Sequence, residues 1–260
     1  MDLSLLCSID MSIKPLALLQ EARYKNQKLL AVLFDPDDAQ DQMQILAHRC
    51  DTYKVDLVLI GGSLLTRGNT KNCLALIRKC YSGPIMLFPG DEIQVVPGAD
   101  GILLLSLISG RNAEYLIGKH VVAAPWIRQA GLACIPTGYL LIDGGRSTTA
   151  HYISQTMPIP ADKAEIAGVT ALAGEQLGMQ LIYLDAGSGA EKPVSADMIR
   201  AVREMVDCPV IAGGGIRNEE AAASAWQAGA SVVVIGNGLA QDDSLLERIC
   251  TLKSTLNKTI

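Results

Sequence analysis

Two glycine-rich turns near the C-terminal end carry the clearest chemical signal in the sequence, GGGIRN over residues 213–218 and IGNG over 235–238. Each closes a short β-branched run, and a stretch ending QAGA lies between them. Glycine lets the main chain approach a ligand closely, and N–H groups at helix N-termini point toward negative charge. The pair reads as a cradle for a phosphate group; the plain alternative is two tight turns between strand and helix. A second signal is FDPDD (34–38), which puts Asp35 at a strand tip, with Pro36 fixing the turn and Asp37 and Asp38 placed to cap the helix that follows. Carboxylates here would repel a phosphorylated ligand unless a divalent cation joins them. Mg²⁺ does this with one or two carboxylates plus substrate phosphates, and Ser63, ending the run LVLIGGS, is a candidate further ligand. For Asp35 the metal and structural readings both stand. A third signal is YLDAGSGA (183–190), where Asp185 is placed to accept a proton from a hydroxyl and Tyr183 to orient the same substrate, against the alternative that Asp185 only anchors its loop.

Other chemistries find less support. His48, His120 and His151 share no ligand spacing, and no Ser-His-Asp or Cys-His set assembles, which disfavours metallohydrolase and acyl-enzyme mechanisms. A formal net charge of -5 offers no broad basic surface, so nucleic acid is not an expected partner and any anion must be held locally. The seven cysteines are scattered and form no C-x-x-C pair, which fits a reducing cytoplasm. The start MDLSLLCSIDMSIK lacks a basic leader, and no apolar run is long enough to span a bilayer. Trp126 and Trp226 fall in helical stretches as packing or interface residues.

These residues need elements to position them. Eight short apolar runs alternate with longer Ala-, Leu- and Glu-containing stretches: 29–34, 57–62, 85–90, 101–107, 138–143, 180–185, 210–215 and 231–236. Continuous apolar strands separated by helices predict a parallel sheet buried on both faces. Eight of them predict a closed (β/α)₈ barrel in one domain of 260 residues, a short helical extension preceding the first strand; a doubly wound open sheet is the alternative. Ser195 and Asn218 are placed to open helices, and Gly229 to stop one. Two gaps are irregular. Only ten residues, with Pro97 and Gly98 among them, separate Gly90 from Gly101, too few for a covering helix, so the third helix is missing or replaced by a short segment and an apolar crevice is exposed. Residues 144–160 form a long loop at the same end as the candidate site, read as a mobile lid, with a disordered excursion as the plain alternative.

With FDPDD, IGGS (60–63), LFPG (87–90), PTGYLLIDGG (136–145), YLDAGSGA, IAGGGIRN and IGNG in this order, the chain resembles the geranylgeranylglyceryl phosphate synthase family, which includes heptaprenylglyceryl phosphate synthases. The resemblance runs from the first strand to the eighth. It implies transfer of a prenyl group, most simply geranylgeranyl, from its diphosphate to the C3 hydroxyl of sn-glycerol 1-phosphate with Mg²⁺, giving an ether-lipid precursor. By motif match, Asp35 and Ser63 would hold Mg²⁺. Tyr183, Leu184, Asp185, Ala186, Gly187, Ser188 and Gly189 would bind glycerol 1-phosphate, and Gly214, Gly215, Gly236 and Asn237 its phosphate, with Asp185 and Tyr183 as the catalytic pair. It further implies a cytoplasmic homo-oligomer, dimer or hexamer, with peripheral membrane contact through the lipid product. The family commonly has Glu where this chain has Asp185, and Lys where it has Asp38. Two other functions share the cradle: a phosphosugar isomerase or lyase, which needs an acid–base pair or a Schiff-base lysine near the reacting carbon while no lysine sits at a strand end, and a noncatalytic phosphate-ligand module.

Overall fold

In the computed structural model, residues 14–240, 242 and 244–259 are described. Eight parallel strands close on themselves in chain order: β1 (Leu29–Phe34), β2 (Leu57–Ile60), β3 (Ile85–Leu87), β4 (Gly101–Leu107), β5 (Ala133–Leu141), β6 (Leu181–Asp185), β7 (Val210–Gly213) and β8 (Val232–Ile235). Closure is made by β1 and β8, with Leu29 opposite Val232 and Val32 opposite Ile235. The barrel expected from the eight runs is therefore the observed fold.

Strand alternation splits the apolar residues into two layers. One set, including Ala31, Leu59, Met86, Leu103, Ile135, Ile211 and Val234, fills the barrel interior. Their neighbours, including Val32, Val58, Ile85, Leu184 and Val233, face the helices. Helix α1 (Lys14–Tyr24) brings Leu19 and Ala22 against Leu29, Leu57, Leu181 and Val232, which begin their strands, and so plugs the N-terminal mouth. The outer helices are α2 (Gln40–Thr52), α3 (Thr70–Arg78), α4 (Lys119–Ala130), α5 (Thr149–Ser154), α6 (Ala164–Gln176), α7 (Ala196–Met205), α8 (Glu219–Gln227) and α9 (Leu245–Lys258). Ser195 and Asn218 cap α7 and α8, accepting from Met198 N at 3.2 Å and Ala221 N at 2.8 Å. Trp226 is wholly buried and donates its indole N–H to Leu29 O at 3.0 Å, tying α8 to β1, whereas Trp126 on α4 is 58% exposed.

Between β3 and β4 there is only a 3₁₀ turn, Glu92–Gln94, as the short gap requires. Three details depart from the sequence reading. β5 begins five residues earlier than expected, because Pro136 reads as a strand breaker, yet its carbonyl still accepts from Gln180 N at 2.8 Å. Residues 144–160 are not one long loop: they hold α5, and Ile142 bridges Ile159. Asp37 and Asp38 do not cap a helix, since α2 starts at Gln40 behind Ala39. Asp37 instead accepts from Thr66 N and Oγ1, at 2.8 and 2.7 Å, and from Arg67 N at 3.0 Å, tying the β2–α3 loop to the β1 tip. The Thr66 hydroxyl and these N–H groups hold its carboxyl well below the usual range. Asp38 donates its main-chain N–H to Asp35 O at 3.0 Å.

Candidate active site

The C-terminal mouth is where strand ends and helix N-termini meet. On β6 the alternation turns Tyr183 and Asp185 inward and Leu184 outward to the helices. Asp185 is 8% exposed, and both its oxygens are used: Oδ2 accepts from the Tyr139 hydroxyl at 2.5 Å and Oδ1 from Gly187 N at 2.7 Å. Tyr139 reaches it because β5 and β6 run in register, Tyr139 opposite Tyr183 and Leu141 opposite Asp185. Burial pushes the Asp185 carboxyl above its ordinary range, and the hydrogen bonds from Tyr139 and Gly187 pull the other way. A carboxyl raised in this manner and fixed at both oxygens suits a general base. Beneath it the Tyr183 ring stacks on Phe88, centroids 5.0 Å apart, and Tyr139 meets Phe88 edge-on at 6.0 Å. Tyr183 is buried and Tyr139 half-buried, and loss of solvent together with the nearby Asp185 charge pushes both phenols up, which keeps them neutral.

Beside this aspartate lie the glycine turns. Gly214 and Gly215 have φ of 80° and 71°, a left-handed pair that side chains rarely adopt. A Cβ on Gly214 would stand 2.6 Å from Gly187 N, and one on Gly215 2.8 Å from the main chain of Lys192. The turn thus needs glycine for both conformation and closeness, and it delivers its N–H groups next to the N-terminus of α8. Gly236 is different: a Cβ there would meet nothing nearer than Leu33 at 3.7 Å, so its glycine leaves room rather than relieving strain. Arg217, within the β7 turn, donates to Ala190 O at 2.7 Å and fastens the β6 loop to it.

Across the mouth, Asp35 Oδ1 accepts from Asp37 N at 3.0 Å, and a Cβ on Gly62 would lie 3.2 Å from Asp35 Oδ2. Glycine at 62 therefore keeps open the space beside the carboxylate. Burial raises the Asp35 carboxyl, and the charges of Asp38 and Asp37 add to this. One cleft of about 340 Å³ is lined by Asp35, Ser63, Tyr183, Asp185, Ser188, Gly189, Gly214, Gly215 and Gly236 together. Leu184, Ala186 and Gly187 do not line it; Leu184 and Ala186 pack among the helices, and Gly187 acts through its hydrogen bond to Asp185. The side chain of Asn237 lies outside the described residues.

An apolar crevice of about 100 Å³ adjoins this cleft. It runs over β4 past Leu103, Leu105 and Leu107 and is floored by Ala123 and Ile127 of α4. Gly62, Ser63 and Phe88 line both spaces, so the two meet there. The crevice opens where the third helix is lacking, between the 3₁₀ turn and a π-helical turn, Glu114–Gly118, that leads into α4. Lys119 crosses this opening to Asp91, with Glu92 Oε2 at 3.7 Å. Helix α5 separates the two spaces, as Thr149 faces the cleft and Ala150 and Ile153 face the crevice. It is held in place by Tyr115, which donates to Ile153 O at 3.3 Å, and by Asn112, which donates to Ser154 O at 3.0 Å.

The PcrB family model matches residues 22–255, from the end of α1 into α9. This chain belongs to the PcrB family. A family relative, the geranylgeranylglyceryl phosphate synthase of Spirosoma linguale, is 50% identical over 246 residues, 94% of this chain and 99% of the relative. The synthase of the same name from Korarchaeum cryptofilum is 38% identical and covers 93% and 99%. The crystal structure of (S)-3-O-geranylgeranylglyceryl phosphate synthase from Thermoplasma acidophilum, in complex with sn-glycerol-1-phosphate, matches with a TM-score of 0.84 at 28% identity, over 93% of this chain and 98% of that one.

Within this PcrB-family barrel, Asp35, Ser63, Tyr183, Asp185, Ser188, Gly189, Gly214, Gly215 and Gly236, from separate motifs, line one cleft. Tyr139, Arg146 and Arg217 also belong to the site and were not singled out from the sequence. Tyr139 stands inside the motif PTGYLLIDGG, and its role becomes visible only once the β5–β6 register is known. Among the described residues, no three His, Cys, Asp or Glu side chains gather to hold a metal ion. One carboxylate, one hydroxyl and an adjoining open space nonetheless suit Mg²⁺, which keeps waters and takes substrate phosphate oxygens as its remaining ligands.

Proposed function

We propose that this protein joins a prenyl diphosphate, most simply geranylgeranyl diphosphate, to the C3 hydroxyl of sn-glycerol 1-phosphate and releases diphosphate. The observation that carries the reading is the junction at Gly62, Ser63 and Phe88, where a polar cleft holding a buried carboxylate meets an apolar crevice. The two spaces match the two halves of such a reaction, a small hydroxylated phosphate and a long hydrocarbon tail. The left-handed turn at Gly214 and Gly215, with Gly236 opposite, would receive the phosphate through main-chain N–H groups. Asp185 would then take the proton of the C3 hydroxyl as its oxygen bonds to the allylic carbon and the carbon–oxygen bond to diphosphate breaks. Tyr139 fixes the orientation of Asp185 and keeps one carboxylate oxygen hydrogen-bonded throughout.

Asp35 and Ser63 are the residues that would hold Mg²⁺, which when bound neutralises charge on the diphosphate. Helix α4 leaves Val121, Val122 and Trp126 exposed beside the crevice, which supports a homo-oligomer whose order light scattering would give. No helix among the described residues is long and apolar enough to cross a membrane, which supports a cytoplasmic enzyme that meets the membrane through its product.

The test is incubation of the purified protein with glycerol 1-phosphate, geranylgeranyl diphosphate and Mg²⁺, with and without a chelator, followed by mass detection of the ether. Absence of product from folded protein, with shorter and longer donors also tried, refutes the proposal. The Schiff-base form of the lyase alternative needs a lysine in the cleft, and none is among its described lining residues.

A further inference from the structure

The charges around the cleft are unevenly committed. Two arginines line it, Arg146 and Arg217. Arg217 is occupied, donating to the carbonyls of Ala190 at 2.7 Å and Gly189 at 3.5 Å. Among the described residues, Arg146 has no hydrogen bond, ion pair or ring contact. The two residues before it, by contrast, are anchored. Gly145, at φ 86°, donates to Asp143 Oδ1 at 2.9 Å, and Gly144 O accepts from Glu191 N at 2.9 Å and Lys192 N at 3.0 Å. A firmly held turn that presents an unengaged guanidinium to a cleft containing two carboxylates, Asp35 and Asp185, is built for an anion that arrives with the substrate.

The direction of the following segment tells which anion. Three residues after Arg146, Thr149 faces the cleft, and Ala150, Ile153 and Ser154 then face the apolar crevice. One continuous piece of chain therefore touches the tail space and carries a free cation at the end where the tail's head group must sit. The phosphate of the acceptor has the main-chain N–H groups of the glycine turns after β7 and β8, which leaves the side chain of Arg146 for a second anion.

We propose that Arg146, on the cleft side of the segment that leads on to the crevice, binds the diphosphate of the prenyl donor as a residue of the donor site. This assignment rests on the function proposed above. The experiment compares wild type with Arg146→Gln and Arg146→Lys. It measures the Kd of geranylgeranyl diphosphate with Mg²⁺ in the absence of acceptor, the Kd of glycerol 1-phosphate in the absence of donor, and KM for each in turnover. Arg146 is on the surface, so all three proteins are expected to melt together. The expected result is a loss of donor affinity of roughly ten- to a hundredfold in Arg146→Gln, the range that charged hydrogen bonds contribute. Part of it should return in Arg146→Lys, with acceptor affinity changed less than about twofold. Unchanged donor affinity, a loss confined to glycerol 1-phosphate, or no donor binding by wild type overturns the assignment. A wild type that binds the donor through Arg146 yet makes no ether refutes the proposed reaction and leaves the arginine's role standing.

Discussion

The polar cleft and the apolar crevice share one end of the barrel and even share Phe88, yet they arise by opposite means. The cleft is made by addition: glycines at 214 and 215 in conformations that other residues resist, a buried aspartate held at both oxygens, and a carboxylate at the β1 tip. The crevice is made by subtraction, since a 3₁₀ turn stands where a helix would otherwise cover β3 and β4. Individual atoms matter in the first, whereas the second depends on volume. Substitutions should therefore act abruptly in the cleft and gradually in the crevice, and four variants probe that contrast.

The largest effect belongs to Asp185→Asn. If Asp185 is the base, kcat falls by about 10²- to 10⁴-fold with KM for glycerol 1-phosphate little changed; a raised KM with kcat unchanged would point to binding instead. The same variant tests the electrostatics through stability. A carboxyl raised by burial binds its proton more readily in the folded chain than in the unfolded one. Its contribution to stability is thus fully present below the unfolded value and is lost as pH rises through the folded one. Asp185→Asn should accordingly melt higher than wild type at pH 7, and the gap should close toward pH 4. Catalysis has the opposite slope, with wild-type kcat/KM falling as pH drops through the raised value.

Next comes Gly214→Val, which forces a β-branched residue to φ 80° and into Gly187 N. A loss of stability of about 1–3 kcal/mol in urea unfolding, together with a KM for glycerol 1-phosphate raised tenfold or more, is expected. In the crevice, Ala123→Phe should lower kcat/KM for the longest accepted donor by about tenfold, one to two methylenes' worth of burial, while a geranyl donor is barely affected. A uniform loss over all chain lengths would break the volume argument. The smallest effect is expected for Gly236→Ala, whose added methyl meets no neighbour closer than 3.7 Å. Its melting point should match wild type within about 0.5 kcal/mol of stability, and KM for glycerol 1-phosphate should rise only a few-fold.

What could be read from the sequence follows the same division. Continuous apolar runs bounded by glycine mark strands buried on both faces, and spacing alone exposed the missing helix, because ten residues cannot make two loops and a helix. The glycine turns were legible since only a few residue types fit them. Partnerships were not. Asp37 looks like a helix cap, but three N–H groups of the β2–α3 loop, remote in sequence, compete for it and win. Tyr139 meets Asp185 only through strand register, which no local pattern specifies, and α5 is too short to show a helical period.

The ion pair of Lys119 with Asp91 gives the gap in the helical layer a further property. A strap across an opening leaves two routes for a hydrocarbon: threading end-on beneath it, or lateral entry after the strap releases. Only lateral entry has a charged gate, so donor capture would quicken with added salt on that route and be indifferent to it on the other. Where a helix would be a permanent wall, the barrel thus carries an ion pair.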